Sequence, residues 1–126
     1  MKTIILVSIC LFLVVIPAHA DSFMDDWDQL DRLLLATYTT TWFIDWGQTR
    51  EIAVNDMYYE TNAFLGEHPS KDTVDIYFIG MYFMNLFIAD NLGSDLRKAY
   101  LLLWTTVHYE CVENNRKLGI SMNFNF

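Results

Sequence analysis

A few polar side chains stand inside stretches that are otherwise apolar, and these are the positions where chemistry could reside. Thr37, Thr41, Asp45 and then Gln48 or Thr49 follow one another at three- or four-residue steps, which places them on one face of a helix. Inside lipid, Asp45 would be costly and by default a functional group. At the water boundary, beside Trp42 and Trp46, it would merely end an apolar segment, and this plainer role is favoured. Asn85 sits in the middle of an apolar run, where an interhelical hydrogen bond is its expected task. Further on, Thr105, His108 and Asn115 share a broad helical face, with Glu110 and Glu113 on neighbouring ones. A histidine beside a carboxylate suits proton transfer or metal ligation. Residues two apart on a helix do not converge, however, so His108 is expected to hydrogen-bond Asp45 or Asn85, and no metal is expected.

Between two helical stretches lies Asn55 to Lys71, long for a bundle connection and therefore a candidate for function. It carries Glu60-Thr61-Asn62 and Leu65-Gly66-Glu67-His68-Pro69-Ser70. Asn62 and His68 are ligand types, but Asn, Gly, Pro and Ser at these intervals primarily make turns. His68 and Ser70 do not form a nucleophile pair, because no third group is evident. Cys111, a lone thiol on an apolar helix, is expected to be inert.

Three helices must position these groups. The periodicity of Trp27, Leu30, Leu33, Leu34, Tyr38 and Trp42 predicts a first helix from about Phe23 to Val54, loosened at Gly47. A second is predicted from about Thr73 to Asn91. The third begins at a Ser94 or Asp95 cap and runs to about Lys117, closed by Leu118-Gly119. The tail, Ser121 to Phe126, reads as frayed. Ahead of all this stands an export leader: Lys2, the almost wholly apolar Ile4 to Ile16, Pro17, and the small-x-small Ala18-His19-Ala20. Cleavage after Ala20 is favoured over an uncleaved anchor. The expected domains are thus a leader over 1–20 and a single helical domain over 21–126.

The apolar runs Leu33 to Ile44, Ile76 to Ala89 and Ala99 to Val107 are each shorter than the roughly 20 residues that span a bilayer. Yet they are dense on every side and flanked by Trp and Tyr, as at membrane interfaces. A helix apolar all round belongs inside a large protein or in lipid. The favoured architecture is therefore all-α, a three-helix bundle behind a leader helix and embedded in the membrane, with a compact exported domain as the alternative. Arg50, Lys71, Arg116 and Lys117 on one side against Arg32, Arg97 and Lys98 on the other give a faint inward bias.

A net charge of −8 argues against nucleic acid, whose binding rests on clustered Lys and Arg. Acids crowd the start of the mature chain at Asp21, Asp25, Asp26, Asp28 and Asp31, a pattern expected of a solvated helix N-terminus. Of two cysteines, Cys10 falls in the leader, so only Cys111 remains and no internal disulfide can staple the mature chain. Stability must then come from a helical core, from lipid, or from homo- or hetero-oligomers joined through apolar helices.

Three stretches carry a resemblance: Asp45-Trp46-x-Gln48-Thr49-x-x-Ile52-Ala53, Tyr59-Glu60-x-Asn62-x-x-Leu65-Gly66-x-His68-Pro69-Ser70, and Asn115-x-x-Leu118-Gly119-Ile120. Together they resemble a family of small uncharacterised bacterial and phage-borne proteins over about Asp45 to Ile120. In that family proline often follows the loop asparagine, where this chain has Ala63. The resemblance implies a helical, membrane-embedded protein without a cofactor.

The leading expectation is a non-enzymatic component of the bacterial inner membrane, in contact with lipid. One alternative is a membrane-embedded enzyme or proton-linked transporter using Asp45, His108 and Glu110 or Glu113, gated by the Glu60 to Ser70 loop. Another is a soluble periplasmic or secreted helical binding module.

Overall fold

The structure, a computed structural model, describes residues 22–126, so the leader over 1–20 lies outside the described residues. Three helices follow in order: α1 (Gln29–Val54), α2 (Lys71–Asp90) and α3 (Ser94–Lys117), with no strand among the described residues. The all-α, three-helix expectation holds. Helix α1 is central and packs along most of α3 and part of α2, while α2 and α3 touch little beyond their short connection. Tyr38, Trp42, Val74, Phe78, Ala89 and Leu101 form the core, joined by Trp27 and by Leu65 from the loop.

Helix α1 starts six residues later than its periodicity predicts. The Asp28 side chain accepts the Asp31 N–H at 2.8 Å, and Asp31 accepts the Asp28 N–H in return at 3.1 Å, a capping box that fixes the first turn. The residues before it form a turn that docks on the end of α2: the Met24 amide and the Trp27 indole both donate to Asp90 Oδ1 at 2.8 Å. The acids here are not simply solvated. Arg97, wholly buried, binds Asp31 Oδ2 at 3.1 Å and Asp26 Oδ2 at 2.7 Å, and its remaining donors reach the Ala89 and Leu92 carbonyls. This network ties the entry of α1 to the α2–α3 corner.

The tail also differs from expectation. Asn123 N–H donates to the Gly47 carbonyl at 2.9 Å, and the Phe124 ring stacks on Phe43 at 4.5 Å. Arg50, almost fully buried, donates to the Asn123 and Asn125 carbonyls at 2.9 and 2.8 Å and pairs with Asp75. Gly47 does not loosen α1, which runs unbroken to Val54; its missing side chain makes room for Phe124. The end of α3 closes as predicted. Gly119 adopts φ 78°, and Ile120 N–H reaches back to the Asn115 carbonyl at 3.0 Å while Gly119 N–H binds Arg116. At the other end of α3, Gly93 occupies the cap position without a side-chain bond, so neither Ser94 nor Asp95 serves there.

Among the described residues no helix is long and apolar enough to cross a membrane. Helix α2 is not uniform around its circumference: Val74, Phe78, Asn85 and Ala89 are buried, whereas Ile76, Ile79, Phe83, Met84 and Phe87 are exposed.

Candidate functional site

Asp45 lies two-thirds of the way along α1 and does not end it. Its side chain points at α3, where His108 Nδ1 meets Asp45 Oδ2 at 2.7 Å. Trp42 and Trp46 flank it in sequence but serve elsewhere, donating to the Phe78 carbonyl at 3.1 Å and to Asp75 Oδ1 at 2.8 Å. The His108 ring is held among Tyr38, Phe78 and Trp104, with centroids at 5.7, 6.3 and 6.2 Å. The expected hydrogen bond from His108 to Asp45 is thus present, and the boundary role for Asp45 is not, since the residue is only 6% exposed.

On its open side Asp45 lines a cavity of about 620 Å³. Helix α1 contributes Asp45, Thr49 and Ile52; the loop contributes Tyr58, Tyr59, Glu60, Thr61, Asn62 and Leu65; α3 and its cap contribute Cys111, Asn114, Asn115, Leu118 and Ile120. His108, bonded to Asp45, is not among the described residues that line the cavity.

The loop keeps its shape through Asn62. Its side-chain oxygen accepts the Phe64 N–H at 3.0 Å, its backbone carbonyl accepts Leu65 and Gly66, and its side-chain amide donates to Tyr77 Oη at 3.0 Å. Gly66, at φ 77°, supplies the left-handed residue that this turn requires. Glu60 Oε1 accepts the Asn62 N–H at 2.7 Å, which aims the Glu60 carboxylate along the cavity.

Burial raises the carboxyl of Asp45 above the ordinary carboxylate range, and its hydrogen bonds with His108 and Thr49 oppose that shift only in part. Glu60 is raised for the same leading reason, and the charge of Asp45 adds to it. Cys111 is exposed over much of its surface, yet desolvation of the sulfur, with the charges of Asp45, Glu60 and Glu110, pushes its thiol up to about 11. At neutral pH it is therefore protonated and a weak nucleophile.

The remaining predicted residues fall outside this group. Asn85 is buried where all three helices meet, donating to Tyr38 Oη at 3.1 Å and accepting from Tyr100 Oη at 2.5 Å. That is the expected interhelical role, and Tyr38, deeply buried beside it, is pushed up to about 12 by loss of solvent. Thr37 and Thr41 bond carbonyls of their own helix. Gln48 is buried with an unpaired side-chain oxygen. His68 and Glu110 are exposed, Glu113 pairs with Arg116, and Ser70 caps α2 by accepting the Thr73 N–H at 3.1 Å. Among the described residues no group of three or more His, Cys, Asp and Glu could hold a metal ion.

Sequence reasoning missed Asn114, Tyr58 and Thr61 on the cavity wall, and the buried cations Arg50 and Arg97. Arg97 stands between Leu96 and Lys98 and reads as a surface residue; only the excess of acids at the start of the chain hinted that some of them had partners. A comparison with protein-family models, with curated proteins and with solved structures finds no match for this chain.

Proposed function

We propose that the chain is a non-enzymatic component of the bacterial cell envelope, delivered by its leader, that holds a small polar ligand in the Asp45–Glu60 cavity. One observation carries this reading. The three separate stretches behind the family resemblance contribute Asp45, Thr49 and Ile52, then Tyr59, Glu60, Asn62 and Leu65, then Asn115, Leu118 and Ile120 to that one wall. A concave, mostly apolar site with a few convergent polar groups is what small-ligand recognition requires. Binding is favoured over catalysis because His108 is not among the described residues that line the cavity, and because the thiol of Cys111 on the wall is held protonated. The exposed apolar residues of α2 favour lying against lipid over crossing it.

Fractionation of cells producing the C-terminally tagged chain, with N-terminal sequencing of the product, tests location. A mature chain beginning at Asp21, found with the envelope and released by carbonate, is expected. Recovery in the cytosol with Met1 retained overturns the proposal.

A single observation favours a second reading, proton-linked function. The Asp45–His108 pair at 2.7 Å joins a desolvated carboxyl to an imidazole, whose two ring nitrogens can take up and pass on a proton. On this reading His108→Gln abolishes function while ligand affinity stays unchanged; loss of affinity in step with function excludes it.

A further inference from the structure

The chemistry of the cavity wall narrows the ligand class, an inference that rests on the binding role proposed above. We infer that the cavity receives a small aliphatic amine, with a diamine the best match for its two carboxylates. Among the described residues the wall carries Asp45 and Glu60 and no Lys, Arg or His. An anionic ligand would face two carboxylates, with His108 already engaged by Asp45 and Glu60 without a basic partner among the described residues, and like charges in a partly desolvated site repel strongly. A neutral ligand would leave Glu60 uncompensated, since the one base beside the pair, His108, is bonded to Asp45. An ammonium group supplies both the missing positive charge and several hydrogen-bond donors.

The carboxylates are fixed and still have capacity. Asp45 Oδ2 is engaged by His108 at 2.7 Å, and Glu60 Oε1 by the Asn62 amide at 2.7 Å. An ionised carboxylate can accept about four hydrogen bonds, so each retains acceptor sites for a ligand. They come from different elements, α1 and the loop, with apolar wall from Ile52, Leu65 and Phe78 in the same cavity. Two cationic ends separated by a short methylene chain fit this alternation better than a single compact charge. Tyr58 and Tyr59 add aromatic faces that attract ammonium groups. A volume of about 620 Å³ is ample for such a molecule. A divalent metal ion suits the site less, since no group of three or more ionisable ligands is assembled among the described residues. The upward displacement of both carboxyls agrees with this, because an ammonium beside either carboxylate would offset by its charge the cost of ionising it away from water.

The test titrates the full chain with three probes of matched length, 1,5-diaminopentane, 1,5-pentanediol and glutarate, followed by calorimetry and amide chemical shifts. The diamine alone should bind, move the amides of Asp45, Glu60 and Asn62, and weaken as salt is raised. Glu60→Gln, which keeps a side-chain oxygen to accept the Asn62 N–H, should weaken diamine binding by about tenfold or more. Asp45→Asn should do the same, and circular dichroism checks that either variant remains helical. Equal or tighter binding of the diol or of glutarate at the same amides overturns the amine inference while leaving a binding cavity. Calcium that binds at those amides and displaces the diamine overturns it too. Silence from all three probes overturns both the inference and the binding role beneath it.

Discussion

Asp31→Asn is the substitution that most sharply tests how the chain holds α1 against the α2–α3 corner. Asp31 and Arg97 are both fully buried and meet at 3.1 Å, with Lys98 Nζ 3.4 Å from the other Asp31 oxygen. Removing one member of a buried ion pair costs about 3–5 kcal/mol, because the partner charge stays in the protein without its counter-ion. Here Asp26 remains on Arg97 at 2.7 Å, but it is 66% exposed and compensates little, which sets the expected loss at about 3 kcal/mol. At about 4–8 °C per kcal/mol for a domain of this size, the midpoint should fall by at least about 12 °C. Thermal melts followed by circular dichroism measure the midpoint and urea unfolding the free-energy loss, with an unchanged m-value showing that the same surface is exposed. Asp26→Asn, at the exposed end of the same network, should cost far less than Asp31→Asn. The double variant Asp31→Asn/Arg97→Met should cost less than Asp31→Asn alone, since it leaves no orphaned charge. A loss below about 1 kcal/mol for Asp31→Asn, or a double variant as weak as the two single effects added together, would refute the reasoning.

Three other outcomes follow from the same contacts. Gly47→Ala puts a carbon 2.7 Å from the Phe124 ring and 3.0 Å from Met122 Cβ, so the tail must shift; overpacking of about 1–3 kcal/mol should outweigh the roughly 1 kcal/mol of helix propensity gained, and faster hydrogen exchange at the Asn123 amide should report the loosened tail. A net stabilisation by Gly47→Ala would show that Phe124 does not pack there. Because the Asp45 carboxyl is raised above 3.8 in the folded chain, its contribution is present below that value and lost as pH rises through the folded pKa. Wild type should therefore lose stability relative to Asp45→Asn as pH is raised from 4, and a difference that runs the other way excludes a desolvated Asp45. Iodoacetamide should alkylate Cys111 slowly at pH 8, with the rate climbing towards about pH 11; rapid labelling at pH 7 would place the thiol in a different environment.

How much of this was legible depends on how local each signal is. The three helices follow from apolar periodicity, and the end of α3 from Leu118-Gly119, because a left-handed glycine after a helix is a local requirement. The His108–Asp45 bond could be anticipated, since both polar residues stood in apolar helices and each needed a partner. Asn85 was legible for the same reason. The start of α1 was not, because the periodic apolar residue Trp27 is buried against Asp90 from a turn rather than from a helix. Nor was the tail, whose docking depends on the absence of a side chain at Gly47 and on Arg50, both far from it in sequence. The membrane expectation came from apolar density, which cannot tell a lipid-facing side from a core-facing one. Helix α2 has both a buried and an exposed apolar side, and no described helix is long and apolar enough to cross a bilayer.

On the binding role proposed above, the cavity between α1, the loop and α3 is where this protein meets its ligand. An amide chemical-shift map of the full chain, recorded against a library of small charged and neutral fragments, tests it most directly. The perturbations should concentrate on Asp45, Thr49, Glu60, Asn62 and Asn115, and should vanish together in Glu60→Gln for the fragments that carry an amine. Perturbations confined to the exposed side of α2, at Ile76, Phe83 and Phe87, with the cavity amides unmoved, would contradict it.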